Sequence, residues 1–224
     1  MAGLTFEGLE AATVRANLGR AREEIARAAA VAGREAAEVE VLAAVKYIPA
    51  GELGVLAEAG IDLVGENRAQ ELEAKAAQHP GFTWDFIGQL QSRKVKQIVP
   101  YVRYIHSVAS DSVLAQLAKH ARASTEILVE VNVAGEPGKS GVAPDELAAF
   151  LERSPVPVVG LMTMPPLARA PEDNRRHFAA LRELAERHRL AQLSMGTSQD
   201  YVVAVEEGAT IVRLGTCLYA AGAP

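Results

Sequence analysis

A lysine closes an apolar run near the start of this chain. From Val39 to Val45, in VEVLAAV, only Glu40 is polar; Lys46 follows, and Ile48-Pro49 ends the stretch. An apolar, valine-rich segment closed by proline reads as a strand buried on both faces. Two readings of its last side chain stay open. The amine can lie in solvent while its stem packs on apolar neighbours. Alternatively, an amine held against an apolar barrel is a nucleophile that forms Schiff bases with carbonyl compounds.

Two segments near the carboxyl end offer a partner for that amine. SMGTS, Ser194-Met195-Gly196-Thr197-Ser198, lies just before a helix expected to start near Gln199. Backbone N–H groups at a helix start, with hydroxyls beside them, suit an anion such as phosphate. The same residues also make an ordinary helix cap. RLGT adds Gly215 and Thr216. Arg213 interrupts the apolar run of the last expected strand, and a buried guanidinium needs acceptors. It is either an ion-pair partner of Glu66 or Glu130, or a donor to the nitrogen of a bound pyridine ring. An amine and a phosphate cradle together suit pyridoxal 5′-phosphate (PLP), whose aldehyde would meet Lys46 and whose phosphate would meet the loops. Arginine keeps its proton in proteins. A ring nitrogen facing it would stay neutral, so the site would hold the cofactor well and promote carbanion chemistry weakly.

The elements that must position these residues alternate. Leu9, Val14, Leu18, Ile25 and Ala29 recur at helical spacing, which predicts a helix over 6–32 that stops at Gly33. Strands are expected at 39–45, 61–64, 84–87, 103–108, 126–133, 156–162, 192–195 and 209–214. Helices are expected at 51–59, 67–78, 92–99, 111–122, 144–153, 173–189 and 199–207. Alternation of this kind implies parallel strands with right-handed crossovers. The expected fold class is α/β, a (β/α)8 TIM-like barrel with an extra N-terminal helix, forming one domain over 1–224. A doubly wound open sheet shares the local pattern. In either fold, ligands bind at the carboxyl ends of the strands. Polar and small residues gather there: Lys46, GEN (65–67), GQLQSRK (88–94), Asn132, Thr163, SMGTS and RLGT.

Composition narrows the classes further. With 224 residues and 49% apolar content the chain can bury a sizeable core, and its net charge of −5 argues against a general nucleic-acid binder. A single cysteine, Cys217, excludes an intrachain disulfide and any multi-cysteine metal site. The N-terminus does not read as a signal peptide, and no apolar window is long enough to span a membrane. His106, His177 and His188 are scattered without companion ligands, so no metal is expected. Arg93, Lys94 and Lys96 read as a solvated helix face that could attract an anionic cofactor on entry.

The chain resembles the YggS-like PLP homeostasis proteins, also called PLP-binding proteins. The resemblance runs over nearly the whole length in ordered blocks: VLAAVKYIP, GENRAQELEAK, WDFIGQLQSRK, IHSVAS, LVEVNVAGEPGKSG, GLMTMPP and LSMGTSQDYVVAVEEGATIVRLGT. It implies a fold type III PLP barrel, like the N-terminal domain of alanine racemase. In it, Lys46 would carry the cofactor as an internal aldimine. Asn67 and FIGQLQ would line the ring face. Ser194, Gly196, Ser198, Gly215 and Thr216, with Met195 in the same loop, would hold the phosphate, and Arg213 would meet the ring nitrogen. Departures stand at Asp85 and Arg93, where the family commonly has His and Asn, at Val45, where Ser or Thr often precedes the lysine, and in the ending CLYAAGAP, which lacks the usual FG.

The expected function is that of an intracellular PLP carrier in cofactor homeostasis, without catalytic residues or substantial turnover. PLP-dependent apo-enzymes are its expected partners, the cytoplasm its location, and a monomer rather than a dimer its state. The alternative is a weakly active PLP-dependent racemase. Such an enzyme needs a second base, commonly tyrosine, facing the lysine across the cofactor; on a strand, Tyr47 would point away from Lys46. A cofactor-free Schiff-base aldolase and a regulator acting through the EPGKSG loop complete the alternatives.

Overall fold

The computed structural model describes residues 5–220. Eight parallel strands close into a barrel in sequence order: β1 (Glu40–Ala44), β2 (Leu63–Glu66), β3 (Thr83–Phe86), β4 (Tyr104–Val108), β5 (Glu126–Glu130), β6 (Val158–Met162), β7 (Gln192–Thr197) and β8 (Ile211–Leu214). Closure is made by β1 against β8, with Leu42 opposite Arg213 and Ala43 opposite Leu214. The barrel is therefore the architecture, and the open sheet is excluded.

Helices α1 (Ala11–Val31), α2 (Leu53–Glu58), α3 (Ala69–Gln78), α4 (Val95–Ile98), α5 (Asp111–His120), α6 (Leu147–Glu152), α7 (Arg175–His188), α8 (Tyr201–Glu206) and α9 (Thr216–Tyr219) ring the barrel. Strand residues alternate between lumen and helix layer. Outward-facing Ala43, Val64, Trp84, Phe86, Ile105, Ile127, Val129 and Leu161 share one buried cluster with the helices. Leu42, Leu63 and Ile211 form a separate, smaller cluster in the lumen. Burying each outward Phe, Ile, Leu or Val contributes about 1.5–3 kcal/mol.

Helix α1 buries Val14, Leu18, Ala21, Ile25 and Ala28, a three-to-four spacing that makes one apolar stripe. Asn17 on that side donates to the carbonyls of Leu218 (2.9 Å) and Ala220 (3.2 Å), which ties α1 to α9. The helix starts at Ala11, not near Phe6 as its apolar spacing predicts. Gly8 sits at φ +65°, and Glu52 accepts from the amides of Gly8 and Leu9, both at 3.1 Å. The left-handed turn ends helical geometry, and the arm before it lies across the barrel, with the Phe6 amide donating to the Tyr47 carbonyl (3.0 Å).

Candidate functional site

The carboxyl end of the barrel opens into a cavity of about 600 Å³. Lys46, Asn67, Ser198, Arg213, Gly215 and Thr216 all line it, so the chain brings six of the nine sequence-designated residues to one place. Ile87 and Gln89 from the FIGQLQ segment join them, with Tyr47, Ser107, Glu130, Met162, Met164 and Tyr219.

Lys46 is not buried in a strand. The strand β1 ends at Ala44, Lys46 and Tyr47 form the turn after it, and the lysine side chain is exposed at the cavity rim. The turn also overturns the expectation for Tyr47. Alternation no longer applies, the two side chains converge, and the Lys46 Nζ lies 4.6 Å from the centre of the Tyr47 ring. Among the described residues the amine has no hydrogen bond or ion pair, and it rests on this ring.

The backbone beneath Lys46 is pinned from inside. Lys75, on the apolar face of α3 one turn after Leu72, is buried, and its ammonium donates to Glu66 Oε2 (2.6 Å) and to the carbonyl of Val45 (2.9 Å). Glu66, fully buried at the end of β2, accepts through Oε1 from the amides of Asn67 (2.6 Å) and Arg68 (3.1 Å). One buried ion pair thus fixes both the residue before Lys46 and the loop that carries Asn67. Gly88 permits the next loop to close on it: a Cβ there would lie 2.0 Å from the Asn67 carbonyl oxygen. Asn67 Oδ1 is buried and has no hydrogen-bond partner.

On the far side of the cavity the loops after β7 and β8 are joined by Ser198, whose hydroxyl accepts from the amides of Gly215 (3.0 Å) and Cys217 (3.4 Å). Asp200 does not line the cavity. It accepts from the Thr197 amide (2.7 Å) and hydroxyl (3.0 Å) and from Asn174 (2.8 Å). The helix after SMGTS, α8, starts at Tyr201 and has six residues, so hydroxyls rather than a helix dipole supply this wall. Thr216 and Ser198 are those hydroxyls, and Gly215 leaves space between them.

Three designated residues of this loop are elsewhere. Met195 is fully buried in the helix-layer core. Gly196, at φ +90°, packs against α8, where a Cβ would meet the Ala204 Cβ at 2.6 Å. Ser194 is fully buried in the lumen, its hydroxyl 2.6 Å from Arg213 Nη1 and 2.8 Å from His106 Nδ1. It bonds the arginine and does not line the cavity.

Arg213 enters the cavity from β8. It donates to Ser194, to the Thr163 carbonyl (2.9 Å) and towards Met164 Sδ (2.9 Å). Neither Glu66 nor Glu130 bonds it, so the ion-pair reading fails. Burial lowers its pKa to about 10, against the opposing pull of Asp200 and Glu130, which leaves the guanidinium charged at neutral pH. Glu130, at the end of β5, is held above the usual carboxylate range by burial, although Ser140 donates to it (2.9 Å).

This set fits PLP: an exposed amine at one rim, paired hydroxyls at the other, a guanidinium between them, and an unpartnered buried amide oxygen on the wall. Lys75 escaped the sequence reading although it interrupts the apolar face Ala69–Leu72–Ala76, which was the available signal.

The alanine racemase N-terminal domain family matches residues 16–222. A pyridoxal phosphate homeostasis protein of Aquifex aeolicus is 43% identical over 71% of this chain and 77% of its own length. The structure of PipY from Synechococcus elongatus with PLP bound superposes with a TM-score of 0.71 at 33% identity, covering 82% of this chain and 93% of that one. The crystal structure of a protein from Bifidobacterium adolescentis superposes with a TM-score of 0.84 at 30% identity, covering 97% of this chain and 99% of that one.

Proposed function

The chain belongs to the alanine racemase N-terminal domain family, and from that membership we propose that it binds pyridoxal 5′-phosphate at the carboxyl end of its barrel and serves PLP homeostasis. It holds the cofactor on Lys46 without substantial turnover. The observation that carries the reading is the convergence of an unpaired exposed amine, a charged arginine and the Ser198–Thr216 wall on one cavity. When bound, PLP supplies an aldehyde that condenses with a primary amine and a ring that draws electrons when its nitrogen is protonated.

Each residue of the chain has a part. Lys46 provides the amine, reaching from a turn that Lys75 anchors. Ser198, Gly215 and Thr216 bind the phosphate, and Asn67 orients the ring face. Arg213 offers an N–H and keeps its proton, so it holds the ring nitrogen without charging it. Tyr47 lies against Lys46 instead of facing it across the cavity, which supports a carrier over a two-base racemase.

The reading extends to a single PLP-binding barrel domain over 1–224, working as a cytoplasmic monomer that supplies PLP-dependent apo-enzymes. The net charge of −5 argues against a general nucleic-acid partner, and among the described residues no helix is long and apolar enough to cross a membrane. The test is the visible spectrum of the purified protein with PLP, before and after borohydride reduction, with peptide mapping. The label is expected on Lys46, and Lys46→Ala is expected to abolish the colour. A label elsewhere, or none, overturns the reading.

A further inference from the structure

Arg213 is the inner end of a line of side chains that runs through the lumen to the opposite rim. Its Nη1 donates to Ser194 Oγ at 2.6 Å. Ser194 Oγ lies 2.8 Å from His106 Nδ1, and His106 Nε2 lies 3.1 Å from Asp85 Oδ2. Asp85 accepts from Arg103 Nη2 (2.8 Å) and Nε (3.2 Å), and Arg103 Nη1 ends the line on Glu40 Oε1 (2.8 Å). His106 on β4 and Ser194 on β7 are separated by two strands of a closed barrel, so their contact crosses the interior. Asp85, His106 and Ser194 are each within 0% exposure. In that setting a mismatched donor or acceptor is costly.

The proton directions follow from who can donate. Asp85 receives four N–H groups, because the Tyr104 amide also donates to Oδ1 (3.1 Å). Those donors outweigh the upward push of burial and keep the carboxyl below its ordinary range. Burial likewise keeps His106 below its usual value despite Asp85. A neutral imidazole with its proton on Nε2, facing Asp85, has Nδ1 as acceptor. The Ser194 hydroxyl then donates to Nδ1 and turns its lone pairs to Arg213. Every group in the line is satisfied in this one arrangement.

We propose that Asp85 and His106 are positioning residues for Arg213, acting through the Ser194 hydroxyl to set the guanidinium that meets the PLP ring, with Arg103 and Glu40 holding the line from the opposite rim. The cofactor half of this rests on the PLP reading of the cavity; the hydrogen-bond line does not. An amide at position 85 cannot take the role of Asp85, because its NH2 would face donors in either orientation. His106 would then gain an Nδ1–H and compete with Arg213 for Ser194.

The test has two arms. Long-range 1H–15N NMR of the full chain without PLP reads the His106 tautomer, and absorbance titration reads PLP binding. The wild type is expected to show the neutral Nε2–H form at pH 7. Asp85→Asn is expected to move it towards Nδ1–H and to weaken PLP binding about tenfold, as for a buried donor left unpaired. Ser194→Ala, a milder change, is expected to weaken binding by a similar factor while His106 keeps its Nε2–H. An imidazolium or an Nδ1–H form in the wild type overturns the line without any variant. Wild-type PLP affinity and absorption maximum in Ser194→Ala overturn its connection to the cofactor. A wild type that binds no PLP sinks the functional reading and the cofactor half together, and leaves the tautomer to judge the rest.

Discussion

Lys75 and Glu66 face each other at 2.6 Å with side-chain exposures of 2% and 0%, and the same ammonium holds the carbonyl of Val45, the residue before Lys46. Breaking a buried pair from one side leaves an uncompensated charge and costs about 3–5 kcal/mol. Lys75→Met is therefore expected to lower unfolding stability by about that much in a urea titration. Glu66→Gln in the same chain should recover part of the loss. A single variant as stable as the wild type would mean that the pair holds nothing.

Ser198 accepts two amides and thereby binds the β7 loop to the β8 loop. Ser198→Ala is expected to cost about 1 kcal/mol of stability. Its effect on PLP should be larger, a roughly tenfold rise in Kd, since the hydroxyl and the loop spacing are lost together. Equilibrium dialysis against PLP separates the two effects.

Asp85 titrates below its ordinary value of 3.8 in the folded chain, because the donors His106 and Arg103 outweigh its burial. A depressed carboxyl contributes stability above its unfolded pKa and loses it as pH falls through the folded one. The wild type should therefore lose stability below about pH 4. Arg103→Met removes two of the four N–H groups, lifts the folded pKa towards the unfolded value, and should shrink the stability that Asp85 provides at neutral pH. Thermal melts between pH 3 and 7 read both.

Glu130 has the opposite sign. Burial raises its pKa, so protonation stabilises the fold at low pH and the contribution is lost as pH rises through the folded value. Glu130→Gln keeps an acceptor for Ser140 and has no proton to lose. It should melt higher than the wild type at pH 8, with the gap closing towards pH 5. A gap independent of pH would rule out ionisation as the cause.

The barrel was legible because short strand-like runs bounded by helical spacing repeat eight times, and each run fell on a strand or overlapped one. Lys46, Arg213 and Thr216 were legible as polar residues at the ends of those runs. The burial of Ser194 follows from strand alternation: Ser194 and Met195 face opposite sides of β7, lumen and helix layer. Asp85 and His106 were visible as polar residues inside strands. The line they form with Ser194 could not be read, because His106 on β4 meets Ser194 on β7 across a lumen that only closure creates. Lys75 lay on a helix, where an interrupted apolar face is easily taken for a snorkelling side chain.

Phe6 lines the cavity from the arm before α1, and its ring meets that of Tyr219 in α9 at 5.4 Å. Both described extremities of the chain therefore flank the doorway. A fluorophore attached at position 6 or 219 would sit at the threshold and disturb loading. The exposed turn at Arg122–Ser124, which enters β5 from the other rim, is the better attachment point for measuring exchange with other proteins.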